Sequence, residues 1–157
     1  MKINGKKIEE PNVQLVVLPR MEGDIGFYFK AVESLDEFKK LCPEPTPPIT
    51  TRADGTTFAN VTSEGYKDAV SEREVLMLHW MFLKSISATP NLTWERVNMQ
   101  NPETWKEWES ELRESKIFQV EQSLLMDGFN KANSLDEAML DEVRKSFLAS
   151  GGVKVEP

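Results

Sequence analysis

His79 and Cys42 are the only histidine and the only cysteine in this chain of 157 residues, so the side chains best suited to acid–base, nucleophilic or zinc chemistry occur once each. A histidine titrates near neutrality and could serve as a general base. His79, however, sits inside the apolar run "VLMLHWMFL", where a hydrogen-bonded core histidine is the simpler reading. One His and one Cys do not supply a usual zinc set, and a carboxylate-rich site would be needed instead. No metal, cofactor or catalytic residue is assigned.

Carboxylates are the remaining reactive groups. A pair of facing acids can cleave a glycosidic bond, and Glu107 with Glu111 or Asp141 with Glu142 are the obvious pairs. Both lie on patterns that predict solvated helix faces. A small hydrolase using Glu or Asp is therefore an alternative reading, and it needs two facing carboxylates in a concave pocket with separated pKa values. The chain contains no P-loop, no G-x-G-x-x-G after a strand and no G-x-S-x-G elbow. "NLT" at 91 to 93 matches a glycosylation triplet, but no secretory signal accompanies it.

The most distinctive stretch is "NPETWKEWESELRES", residues 101 to 115, which sets two tryptophans among five glutamates. At helical spacing Trp105, Trp108 and Leu112 fall within an arc of roughly 60°. So thin an apolar seam predicts a helix on the outside of a domain or against a partner. Asn101 and Pro102 supply an N-cap and a first helical residue. Trp94, Trp105, Trp108 and Leu112 are the candidate protein interface, since tryptophan is enriched where binding energy concentrates. The competing and more economical reading docks the rings on the segment around Trp80, because all four tryptophans lie within residues 80 to 108.

The elements that must position these residues change character along the chain. "INGKKI" turns at Asn4-Gly5, "NVQLVVLPR" and "DIGFYFKAV" form a second hairpin around "MEGD", and "ITTRADGTTFANV" a third around Asp54-Gly55. Between them Ser34 and Glu37 predict a capping box for a short helix, ended by the proline-rich "CPEPTPP". That run is a rigid connector, with a PxxP ligand as the other possibility. From Ser63 the period is helical, and the run from Val75 to Leu83 predicts a helix buried on nearly every side. "ATPNLTWERVNMQ" is readable as a short helix or a strand. Ile117 to Asn133 predicts a helix with Phe118, Leu125, Phe129 and Ala132 on one face. Ser134 with Glu137 predicts the capping box of a last helix that buries Leu135, Ala138, Met139, Val143 and Phe147 before Gly151 and Gly152. The expected fold is α+β in one domain, 1–157: an N-terminal antiparallel β-meander (1–62) packed against three to four helices (63–150), with a flexible tail (151–157).

Composition narrows the partners. Net charge is −7, and residues 63 to 157 carry 17 acids against 11 bases, which argues against nucleic acid, whose binding draws on clustered Lys and Arg. An acidic inhibitor or DNA mimic acting on a host protein is a further alternative, and it needs one continuous acidic face. The longest apolar run is too short to cross a bilayer, the opening "MKINGKKIEE" lacks a signal-peptide core, and the lone cysteine fits a reducing compartment. A cytoplasmic protein is expected, with no membrane partner.

The order "ATPNLTWERVNMQNPETWKEWESEL" then "FNKANSLDEAMLDEVRKSFL", with "INGKKIEEPNVQLVVLPRMEGDIGFYFKAV" and "LCPEPTPP" before it, resembles small proteins encoded in the structural gene blocks of tailed bacteriophages, some of which look like tail-assembly chaperones. The resemblance implies a non-enzymatic protein that binds other proteins, phage structural components or a host protein, during virion assembly in the host cytoplasm. It implies no catalytic residues.

Overall fold

Asn4 and Gly5 adopt positive φ, 52° and 78°, as a two-residue hairpin loop requires. They join β1 (Lys2–Ile3) to β2 (Lys6–Lys7). β3 (Gln14–Leu18) pairs antiparallel with β4 (Ile25–Phe29), with Leu15 opposite Tyr28 and Val17 opposite Gly26. α1 (Asp36–Leu41), β5 (Ile49–Thr51), β6 (Thr57–Ala59) and the long α2 (Glu64–Ile86) follow. A 3₁₀ turn, Pro102–Thr104, then leads to α3 (Glu107–Glu114), α4 (Gln119–Ala132) and α5 (Glu137–Ala149). The computed structural model describes residues 1–151, so Gly152 and the rest of the expected tail lie outside it.

The class is α+β. Among the described residues the strands form three separate antiparallel pairs rather than one continuous meander. Contacts group the chain into two compact units: Met1–Val32, Ser85–Leu92 and the residues from Ile117 onward make the first, Glu33–Lys84 and Thr93–Lys116 the second.

In the first unit α4 packs across one face of β3 and β4. Leu18, Phe27, Phe29, Leu125, Phe129 and Ala132 are buried there, with Ile86 and Ile117. Among the described residues no further strand pairs with β4; the end of α2 and the turn after it use the polar groups of its outer edge. Lys30 N donates to Ser85 O (3.1 Å), Ser85 Oγ donates to Lys30 O (2.7 Å), and Thr89 Oγ1 bonds both Tyr28 N (2.9 Å) and Tyr28 O (3.2 Å). Asn133 closes this arrangement: its Oδ1 accepts from Val32 N at 2.9 Å, and its Nδ2 donates to Ser85 Oγ at 3.2 Å and to Phe129 O at 2.9 Å. Arg20 grips Glu121 through its two terminal guanidinium nitrogens, Nη1 and Nη2, at 2.8 and 2.9 Å, which ties the β3–β4 turn to the first turn of α4.

Several local expectations are corrected. Ser34 and Glu37 make no capping box: Ser34 Oγ accepts from Asp36 N at 3.1 Å, and Glu37 goes to Lys84 Nζ at 2.7 Å. Ser134 does not cap α5 either. With φ of 56° it ends α4, where Ser134 N reaches Lys131 O and Leu135 N reaches Asn130 O, the bond pair of a left-handed helix stop. Asp136 caps α5 instead, its side chain accepting from Met139 N at 2.9 Å. Phe118, at the N-terminal boundary of α4, is 56% exposed rather than in the core.

Two helices are less buried than their sequences predict. Val75 and Leu78 on α2 are 54% and 53% exposed, because only one side of that helix is covered. No residue of α5 is buried, and Val143 and Phe147 are 57% and 58% exposed. The expected core stripe of Leu135, Ala138, Met139, Val143 and Phe147 is therefore an open one.

Gly128 lets α4 approach the sheet closely: a Cβ there would stand 2.6 Å from Val16 Cγ2 and 3.1 Å from Phe29 Cδ2. In an ordinary helix interior Gly→Ala stabilises by about 1 kcal/mol. Here Gly128→Ala should instead destabilise, by about 1–3 kcal/mol through overpacking against a stiff β-branched side chain. Urea unfolding decides it, and a raised midpoint would show that the close approach is not needed.

Candidate functional site

The second unit answers what the tryptophans do. Trp105 is fully buried, and Trp108 and Leu112 are 5% and 4% exposed. Phe38 from α1 is the hub, with ring centroids 6.0 Å from Trp80 and 6.1 Å from Trp105. Trp108 stacks on Phe82 of α2 at 4.1 Å. Arg73 lies over the outer side of Phe38, 5.0 Å from the centroid, and its Nε donates to Cys42 O at 2.9 Å. The seam of the tryptophan helix thus faces the interior of its own unit. Of the four candidate interface residues only Trp94, half-buried in the irregular segment before Pro102, keeps solvent-facing surface. That segment is neither the short helix nor the strand that its sequence allows.

Burying two indoles requires an acceptor for each ring N–H. Trp105 Nε1 donates to Asn98 O at 3.2 Å and Met99 O at 3.3 Å. Trp108 Nε1 donates to His79 Nδ1 at 2.9 Å. The second bond fixes the neutral His79 as the tautomer carrying its proton on Nε2. Burial lowers the pKa of His79, and the charge of Glu109 opposes that shift without cancelling it. A histidine held this way has only its Nε2–H to donate, and acting as a base through Nδ1 would require breaking the Trp108 bond.

The acids of α3 are engaged structurally. Glu111 accepts from three successive backbone amides: Glu95 N at 2.9 Å, Arg96 N at 2.7 Å and Val97 N at 3.2 Å. Arg96 forks onto Glu114 at 2.9 and 3.0 Å and approaches Glu107 at 3.4 Å. Hydrogen bonding from Arg96 lowers the pKa of Glu114. Glu107 and Glu111, the first carboxylate pair singled out in the sequence, therefore hold the 93–101 segment on α3. The second pair differs in kind: Asp141 bonds Arg144 and lies 2.9 Å from Lys145 on the same helix.

A cleft of about 770 Å³ opens beside His79. Val75 and Leu76 supply apolar lining from α2, Pro102 supplies it from the 3₁₀ turn, and Glu72, Glu103 and Lys106 are the charged groups at its walls. Among the described residues no group of three or more His, Cys, Asp or Glu is placed to hold a metal ion. Nor is any helix among them long and apolar enough to cross a membrane.

No family model, curated protein or solved structure matches the chain. Function must be argued from the surface, where sequence reading missed the open face of β3 and β4. Leu15 and Val17 are each 52% exposed and Tyr28 is 38% exposed, while their neighbours Leu18, Phe27 and Phe29 point into the core. The signal was present in "QLVVL" and "IGFYF", which are apolar at successive positions and not only at alternate ones, the pattern of strands with two apolar faces.

Two measurements test this account. Trp105→Ala and Trp108→Ala should each cost about 3–5 kcal/mol in urea unfolding of the isolated chain; wild-type midpoints for both would place the rings outside the core. Because folding lowers the pKa of His79, its contribution to stability is complete above the ordinary value of about 6.5. It is lost as pH falls from there through the lowered folded value. Thermal unfolding from pH 7.5 down to 5.5 should show a falling midpoint that His79→Gln flattens, and an identical slope in the variant would remove His79 from the linkage.

Proposed function

We propose that this chain is a non-enzymatic protein-binding protein that acts in virion or tail assembly, working in the host cytoplasm of a phage-infected cell. The observation that carries the reading is the uncovered apolar face of the β3–β4 hairpin. Leu15, Val17 and Tyr28 stand on that face, opposite the one α4 covers, and exposed contiguous apolar surface marks interaction sites. Its occupant on this reading is an apolar segment of a phage structural protein, shielded until it is incorporated. The resemblance to small structural-block proteins of tailed phages supports that choice.

The alternatives have less to rest on. A carboxylate hydrolase would use acids free to act, whereas Glu111 and Glu114 are held by the 93–101 segment. A DNA mimic needs an uninterrupted acidic face, and Arg96, Arg144 and Lys145 break up the acids around them.

The test is affinity capture from infected cells with wild type and with a Leu15→Glu, Val17→Glu double variant whose urea midpoint matches wild type. A capsid or tail component recovered by wild type and lost from the variant is the expected result. Equal recovery by both, or recovery of a host metabolic or defence protein instead, would overturn the reading.

A further inference from the structure

α5 is an amphipathic helix whose apolar stripe is left exposed among the described residues. Leu140, Val143 and Phe147 follow one another at three and four residues, 42%, 57% and 58% exposed, so they form a single stripe within an arc of roughly 60°. A helix of 13 residues is marginal on its own in water, since isolated helices shorter than ~12–15 residues rarely hold. The Asp136 cap and the Asp141–Lys145 pair are local contributions only, and exposed pairs of this kind add little. The stripe therefore needs a surface against it.

The order of charges along the helix says which surface. The acids Asp136 and Glu137 stand at its start, and the bases Arg144 and Lys145 in its second half. Glu137 and Arg144 are one heptad apart, so both border the same side of the apolar stripe. We infer that α5 pairs antiparallel with α5 of a second copy of this chain. Leu140 of each copy then packs against Val143 of the other, and Phe147 reaches toward Leu135 at the start of the opposite helix. Arg144, which also bonds Asp141 of its own helix, meets Glu137 of the other copy through its remaining donors, twice by the two-fold symmetry. A parallel pair would lose this match, because it sets like ends side by side. The helix is only about 20 Å long at 1.5 Å per residue, so the interface is at the small end of the range for specific association and dissociates on dilution.

Self-association through α5 involves neither the β3–β4 face nor any phage partner, so the purified chain suffices to test it. Sedimentation equilibrium over a wide concentration range should show a monomer that becomes a dimer. At a dilution where the wild type is monomeric, Val143→Glu should keep the wild-type urea midpoint, as α5 buries no core residue, and it should remain monomeric at every concentration. Glu137→Arg and Arg144→Glu should each weaken the dimer by roughly three- to tenfold, and combining them should recover most of that loss. A wild-type chain that stays monomeric at every concentration, a dimer that survives Val143→Glu, or a double reversal that recovers nothing would each overturn the antiparallel pairing.

Discussion

Two indole N–H groups taken out of water set the terms for the second unit. Large apolar area favours burying Trp105 and Trp108, but each ring nitrogen would be a costly orphan without an acceptor. Trp105 finds carbonyls of Asn98 and Met99, which requires the preceding segment to curl back under the ring. Glu111 holds that segment by taking its amides, and Arg96 ties it to Glu114. Trp108 finds His79, which fixes the tautomer of the chain's one histidine. Glu111, Glu114 and His79 thus all serve the placement of two rings.

The first unit solves a different problem, a sheet of only two strands. Such a hairpin is marginal alone, and here α4 covers one face while the 85–89 segment takes up the free polar groups of β4. Ser85 is the buried centre of this device. It donates to Lys30 O and accepts from Asn133, so its hydroxyl is satisfied and locks three chain segments together. Gly128 matters for the same reason, since the helix can seal the face only by coming closer than a side chain would permit.

What remains uncovered is as informative as what is covered. Polar groups in this protein are well provided for, and among the described residues no buried side-chain nitrogen or oxygen lacks a partner. Apolar surface is treated otherwise: among the described residues the outer face of β3–β4 and the stripe of α5 are left open. A chain that satisfies its hydrogen bonds yet leaves apolar faces exposed is suited to association, and this contrast motivates the functional proposal more than any single residue does.

The sequence by itself determined the local features. The Asn4-Gly5 and Asp54-Gly55 turns, the start of α2 after Ser63 and the class of the fold follow from backbone preference and periodicity, which act over a few residues; Asn101 also caps as expected, though what it caps is the 3₁₀ turn and not α3. The sequence also showed that Trp105, Trp108 and Leu112 share one face. Only the tertiary structure decided what that face meets, because a narrow apolar seam is equally suited to a core and to a partner until the opposing rings of Phe38 and Phe82 are in place. The same holds in reverse for α5 and for Val75 and Leu78, whose apolar character predicted burial. Burial is a property of two surfaces, and a helix's own residues specify only one of them.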